Sequence, residues 1–200
     1  MFPIEVIKNG KYEIEIVNRV VDNYGSFLQY SDTFVETGTC WGRSVQLALD
    51  AGYKEVRSVE ASDHYFKEAC NNFLNNPAVL LYHGMSVNTL PEMLKGVDKP
   101  CVIFLDAHVA GHTSAGYEDW LEKGEESDYA QDKILKAELH ILLQHNPNHL
   151  IIIDDQNGWN EYTQGYLDIV LSYNPNYKFE FWDEQMGEMF YKNKMLICRT

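Results

Sequence analysis

Residues 33 to 44, TFVETGTCWGRS, decide the fold of this 200-residue chain. A short apolar run ends at Glu36, and Gly38 and Gly42 follow before a segment with the spacing of a helix. Glycines at such positions allow a tight turn in which the backbone comes close to a ligand. The stretch therefore predicts a strand, a turn and a helix, with a ligand-binding edge where the strand ends.

Short apolar runs continue to alternate with helix-period segments along the chain. Because repeated βαβ units form a parallel sheet, this pattern predicts an α/β fold with a Rossmann-like, doubly wound and mostly parallel sheet. Two strand-like runs in the tail have no helix between them, which predicts a C-terminal antiparallel hairpin and seven strands in all. The predicted strands are Thr33–Glu36, Glu55–Glu60, Val79–Tyr82, Cys101–Asp106, Leu150–Asp154, Lys178–Trp182 and Met195–Arg199.

Helices are predicted between these strands and before the first of them. A helix over residues 14–28 is expected within an N-terminal helical region, residues 1–30. A second helix over Ser44–Ala51 is expected to end at Gly52. A third, short helix is expected after the third strand, where Thr89 and Glu92 have capping-box spacing.

One long segment, residues 109–132, is polar, glycine-containing and acidic. A loop of this length in a compact domain is usually functional or disordered. Because it follows the fourth strand, it lies at the edge where such sheets bind ligands. We predict a lid or substrate loop, with a solvated insertion as the alternative, inside a single domain that spans residues 1–200.

The composition indicates which binding partners and which cellular compartment suit this chain. Sixteen basic and thirty acidic residues give a formal net charge of −14. This charge disfavours nucleic acid and anionic membrane surfaces, and no apolar stretch approaches the ~18 residues of a membrane span. Four separated cysteines without a CxxC pair predict a reduced, cytoplasmic protein. The N-terminal helical region, if exposed, offers a surface for a homodimer.

A carboxylate, Glu60, ends the second predicted strand. At that position an acidic side chain accepts hydrogen bonds from both ribose hydroxyls of a nucleotide-like ligand. NAD sites share this feature, so Glu60 does not choose the cofactor. The alternative is a solvated glutamate at a strand end.

Acidic residues also end the fourth and fifth predicted strands. Asp106 and His108 follow one of them, and Asp154 and Asp155 follow the other. Carboxylates brought together repel unless they are protonated, bridged or bound to a metal, and oxygen ligands favour Mg²⁺, Mn²⁺ or Ca²⁺ over Zn²⁺. We predict a metal site of Asp106, Asp154 and Asp155, with His108 as an alternative general base. Hydrogen bonding to substrate, or no role, stays open for the pair after the fifth strand.

The turn after the first strand resembles the first motif of class I S-adenosylmethionine-dependent methyltransferases, (Asp/Glu)-x-Gly-x-Gly-x-Gly. Cys40 stands in place of the middle glycine. Five βα units closed by an antiparallel hairpin are the sheet arrangement of that superfamily. After the third strand the family usually has Gly-Asp-Ser, and here Met85 stands in place of the acid.

Residues 33–156 further resemble a family of small methyltransferase-like proteins, which is distantly similar to metal-dependent O-methyltransferases of macrolide sugars. The stretches that carry this resemblance are Leu105-Asp106-Ala107-His108, the loop with Thr113 and Gly116, the helix with Glu138-Leu139, and Ile153-Asp154-Asp155. The resemblance implies methyl transfer from S-adenosylmethionine to an oxygen of a small hydroxylated acceptor, a sugar or catechol, assisted by Mg²⁺ or another divalent cation.

The same resemblance assigns roles to individual residues. Asp106 and His108 are implied in catalysis, and Asp106 is implied in metal and cofactor binding as well. The residues implied at the cofactor are Glu36, Thr37, Gly38, Thr39, Gly42, Ser44, Glu60, Ala61, Gly84, Met85, Ser86 and Asp106. Two alternatives stay open: an S-adenosylmethionine-binding protein without catalysis, and an NAD-type oxidoreductase. The incomplete glycine pattern and the terminal hairpin speak against the oxidoreductase.

Overall fold

The computed structural model describes residues 5–9, 12–21, 24–107, 127–156, 161–184 and 194–200. These residues contain nine strands that belong to one sheet. The strands are β1 (Glu5–Asn9), β2 (Tyr12–Val21), β3 (Thr33–Thr37), β4 (Glu55–Glu60), β5 (Val79–His83), β6 (Val102–Leu105), β7 (Leu150–Gln156), β8 (Lys178–Glu184) and β9 (Lys194–Arg199).

The sheet order is β1-β2-β8-β9-β7-β6-β3-β4-β5. The five consecutive strands β7, β6, β3, β4 and β5 pair in parallel, and β9 is antiparallel to both of its neighbours, β7 and β8. This arrangement confirms the predicted fold class. Each of the seven predicted strands is present, with its ends within two residues of the prediction.

The N-terminal prediction is wrong. Residues 12–21 form strand β2, which pairs antiparallel with β1 and parallel with β8. This N-terminal hairpin of β1 and β2 adds two strands to the seven that were predicted. The sequence from Tyr12 to Ile16 alternates apolar and polar residues, and its β-branched isoleucines are typical of a strand. Of the predicted helix 14–28 and helical region 1–30, only a short 3-10 helix, Tyr24–Phe27, is observed in the described residues. The homodimer stays a prediction without the helix on which it was based.

Helices cover both faces of the sheet. The helices are α1 (Arg43–Ala51), α2 (Asp63–Asn72), α3 (Ser86–Met93), α4 (Ser127–His145) and α5 (Glu161–Tyr173). Buried residues of α3, α4 and α5 join a core on one face, and those of α1 and the 3-10 helix join a core on the other. No helix in the part of the chain that the structure describes has the length and apolarity needed to cross a bilayer.

Three local predictions about the helices can be compared with the structure. Gly52 caps the end of α1 with a φ of 106°, as predicted. The capping box is wrong, because Thr89 and Glu92 lie inside α3, where the Thr89 hydroxyl donates a hydrogen bond to the Met85 carbonyl (2.9 Å). Residues 127–132, predicted as loop, are the first residues of α4. The rest of that predicted loop, residues 109–126, lies outside the described residues, so its role as a lid or substrate loop stays a prediction.

Candidate functional site at the carboxyl edge of the sheet

The turn between β3 and α1 is held closely between the two strands that flank β3. The Gly38 amide donates to the Val59 carbonyl (2.9 Å), and the Asp106 amide donates to the Thr37 carbonyl (3.1 Å). Gly38 has a φ of +89°, and a Cβ at this position would lie 2.5 Å from the backbone oxygen of Asp106. The turn therefore needs a residue that has no side chain and tolerates a left-handed backbone.

Glu36, near the end of β3, has a fully buried carboxylate beside this turn. One oxygen accepts a hydrogen bond from the Ser44 hydroxyl, and the other accepts one from the Ser58 hydroxyl (2.5 Å). Burial raises the pKa of Glu36 to about 8; the two serine hydroxyls lower it, and the nearby carboxylates of Asp106 and Glu60 raise it. The observed contacts of Glu36 are thus internal to the protein, and its contact with a cofactor stays a prediction.

Glu60 connects two loops at the same edge. Its Oε2 accepts a hydrogen bond from the Cys40 amide (2.7 Å), and its Oε1 accepts one from the Ser62 amide (2.7 Å). Cys40 has a φ of 50°, a left-handed conformation that is uncommon for a residue with a side chain. Each carboxylate oxygen has a second lone pair, so both can still accept a hydrogen bond from a ligand. The carboxylate is held in one orientation and fits the predicted ribose contact.

The other residues predicted at the cofactor lie where three neighbouring strands end. They are Thr37, Thr39, Gly42 and Ser44 at and after the end of β3, Ala61 after β4, and Gly84, Met85 and Ser86 after β5. The β4 and β5 ends are joined because the Gly84 amide donates to the Glu60 carbonyl (2.9 Å). Met85 is 43% exposed, so its side chain is available to pack against a ligand. Contacts of these residues with a cofactor stay predictions.

A second part of the edge is a narrow cleft between β6, β7 and α4, with room for about one water molecule. The residues that line it are Leu105, Asp106, Ala107, Leu135, Glu138, Ile153 and Asp154. Asp106 and Asp154 therefore share one cleft, as the sequence predicted. The third carboxylate in the cleft is Glu138 of α4.

Glu138 is a buried acid with an unusual environment. Its side chain is 1% exposed, and its Oε1 has no hydrogen-bond partner among the described residues. Burial raises the pKa of Glu138 to about 7; the hydroxyls of Ser86 and Thr37 lower it, and the Asp106 carboxylate raises it. At neutral pH this carboxyl group is therefore poised between its charged and neutral forms.

The predicted metal site has no support in the described part of the chain. Those residues contain no group of three Asp, Glu, His or Cys side chains placed to hold a metal ion. Asp155 does not line the cleft that Asp106 and Asp154 share; it has a φ of 54° and lies at an irregularity in the pairing of β7 with β9. His108, predicted as a general base, lies outside the described residues.

Two residues of this edge, Ser58 and Glu138, were not among the predicted site residues. Glu138 had a signal in the sequence, since it is a lone carboxylate within the apolar stripe of Leu135, Leu139 and Leu142. Ser58 had none, because its importance comes from the register that pairs it with Glu36 across β3 and β4.

Solved structures of several methyltransferases share this fold. No family model matches the chain, and no curated protein matches it in sequence. An O-methyltransferase from Bacillus cereus in complex with SAH is 17% identical, with a TM-score of 0.58 over 88% of this chain and 80% of that one. The O-methyltransferase TomG from Streptomyces achromogenes, involved in tomaymycin synthesis and in complex with SAM, is 14% identical, with a TM-score of 0.53 over 86% and 75%.

A third similar structure is a methyltransferase whose name gives the positions C5 and C15. The precorrin-6y C5,15-methyltransferase from Geobacter metallireducens is 12% identical, with a TM-score of 0.51 over 84% of this chain and 80% of that one. The chain thus has the fold of the S-adenosylmethionine-dependent methyltransferases. At these identities the likeness concerns the fold, and the acceptor has to be argued from the site itself.

Proposed function

We propose that the chain is an S-adenosylmethionine-dependent methyltransferase that acts on an oxygen atom of a small hydroxylated acceptor, such as a sugar or catechol. The observation that carries the proposal is the Glu60 carboxylate, fixed by the amides of Cys40 and Ser62 at the end of β4. It stands beside the Gly38 turn, at the edge where open α/β sheets bind their ligands. A fixed acceptor there suits the two hydroxyls of an adenosyl ribose.

The carboxylates beside this turn suit an acceptor that must lose a proton. The sulfonium methyl group is already electrophilic, so the protein chiefly has to hold donor and acceptor in line. A hydroxyl is a poor nucleophile at neutral pH, and a carboxylate of Asp106, Glu138 or Asp154 would be placed to accept its proton. Assistance by a divalent cation stays a prediction, since the described residues contain no set of side chains placed to hold one.

Glu60→Gln is expected to weaken binding of S-adenosylhomocysteine. The amide keeps one acceptor oxygen but replaces the other with a donor, so one hydrogen bond to a charged acceptor is lost, which corresponds to about tenfold or more in Kd. Isothermal titration calorimetry measures this directly. Glu55→Gln is the matched control, since Glu55 begins the same strand at the opposite edge and should leave the affinity unchanged.

Three outcomes of this calorimetry would contradict the proposal. The first is a wild-type protein that binds NAD but neither S-adenosylmethionine nor S-adenosylhomocysteine. The second is an equal affinity of wild type and Glu60→Gln for S-adenosylhomocysteine. The third is loss of binding in the Glu55→Gln control. A screen for transfer of a tritiated methyl group to sugars and catechols then tests the acceptor class, with the labelled product expected to carry the methyl group on oxygen.

A further inference from the structure

Strand β5 stands at one end of the sheet, and among the described residues it pairs with β4 alone. The Val56 amide donates to the Ala78 carbonyl (2.8 Å), and the Gly84 amide donates to the Glu60 carbonyl (2.9 Å). Because successive residues of a strand direct their backbone groups to opposite sides, the even-numbered residues of β5 bond to β4 and residues 79, 81 and 83 face outward. The outer side of β5 therefore offers backbone donors and acceptors to another strand.

This edge lacks the features that usually keep edge strands apart. Natural edges are protected by charged side chains, prolines or bulges. Strand β1, at the other end of the sheet, carries Glu5 and Lys8. Strand β5 has the sequence VLLYH and pairs with β4 without a bulge. Residues 69–91, which include β5, form the longest stretch of the chain without Asp, Glu, Lys or Arg.

The surface around β5 is also apolar. Leu80 in the strand is 42% exposed, and Leu74 before it and Met85 after it are exposed as well. The chain as a whole carries a formal net charge of −14, so two copies repel each other over most of their surface. An uncharged and apolar edge is the part of this molecule where a second copy can approach without opposing like charges.

We propose that two copies of this chain form a dimer through β5, paired antiparallel about a two-fold axis at Leu81, so that one sheet runs through both copies. The two Leu81 residues would exchange both of their outward backbone hydrogen bonds, and Val79 would lie opposite His83 of the partner subunit. A two-fold contact of this kind closes on itself and leaves no free β5 edge. The inference goes beyond the proposed function and does not depend on it.

Leu80→Lys tests the interface in the full chain. Across the proposed axis the two Leu80 side chains are diagonal neighbours about 7–8 Å apart, so the substitution would bring two ammonium groups together on an apolar surface. Sedimentation equilibrium over a series of concentrations should give twice the mass of one chain for wild type. For Leu80→Lys we expect the dissociation constant of the dimer to rise about tenfold or more. General repulsion cannot explain that result, because the substitution makes each copy less negative.

A matched control and a second measurement locate the contact. Tyr30→Lys introduces the same charge at a side chain that is also 42% exposed but lies outside β5, and it should keep the mass of the wild type. Hydrogen exchange followed by NMR should show the outward amides of Leu81 and His83 protected in wild type and exposed in Leu80→Lys. The Tyr82 amide, which bonds to β4, should stay protected in both.

Three results would overturn the dimer: a wild type with the mass of one chain at every concentration, a Leu80→Lys variant that associates as the wild type does, or a dimer whose Leu81 and His83 amides exchange freely. If Leu80→Lys does not fold, the wild-type mass and these two amides decide. A folded Leu80→Lys variant should bind S-adenosylhomocysteine as the wild type does. A chain that forms the dimer but binds no adenosyl compound contradicts the proposed function alone.

Discussion

Gly38→Ala is expected to lower the free energy of unfolding by about 3 kcal/mol and to abolish binding of S-adenosylhomocysteine. The backbone at Gly38 is left-handed, which costs an L-residue about 1–2 kcal/mol. The new methyl group would also lie 2.5 Å from the Asp106 carbonyl oxygen and 2.9 Å from its carbon. These are backbone atoms at the end of a central strand, so the turn itself has to move away from β6.

Gly96→Ala provides the matched control for this substitution. Gly96 has a similar φ of +75°, but a Cβ there would meet no atom within 4 Å. We expect it to lose only about 1 kcal/mol and to bind the ligand normally. Urea denaturation followed by circular dichroism measures both variants. Equal losses in the two would show that backbone conformation alone, and not the approach to β6, makes Gly38 necessary.

The protein without ligand is expected to lose stability as the pH rises from 6.5 to 8, by roughly 2 kcal/mol or somewhat more. The folded pKa of Glu36 is about 8, against an ordinary value of 4.5, so the folded state holds a proton that the unfolded state has released. Its stabilisation is fully present below pH 4.5 and is lost as the pH rises through about 8. Glu138 adds to the loss in the same direction through about pH 7.

The pH window avoids an opposite contribution from His149. Burial lowers the pKa of this histidine from 6.5 to about 4, so it favours the folded state more as the pH rises between those values. Above pH 6.5 its effect is nearly constant. Urea denaturation at pH 6.5 and 8 should show the loss of stability in wild type and in the control Glu92→Gln, which removes an exposed carboxylate of α3. Most of the loss should vanish in Glu36→Gln. A wild type that is equally stable or more stable at pH 8 contradicts the assignment.

The strands and the acidic strand ends could be predicted from the sequence because their signals are local. The apolar runs of β6 and β7 identify buried parallel strands wherever they pair, and Glu60 ends its strand whatever lies beside it. The same local reasoning failed over residues 12–21. That segment was interpreted as a helix although its alternation suits a strand, and only its pairing with β8 shows which structure is formed.

The electrostatics of the site depended on contacts that no local pattern contains. Ser58 reaches Glu36 because β3 and β4 pair in one register, and Glu138 enters the cleft because α4 packs across β6 and β7. The sequence by itself determined the order of strands and helices, the glycine turn and the acidity of one edge, since these follow from periodicity and residue type. The tertiary structure decided which carboxylates are buried together and which hold protons, because desolvation and repulsion arise only when distant segments meet.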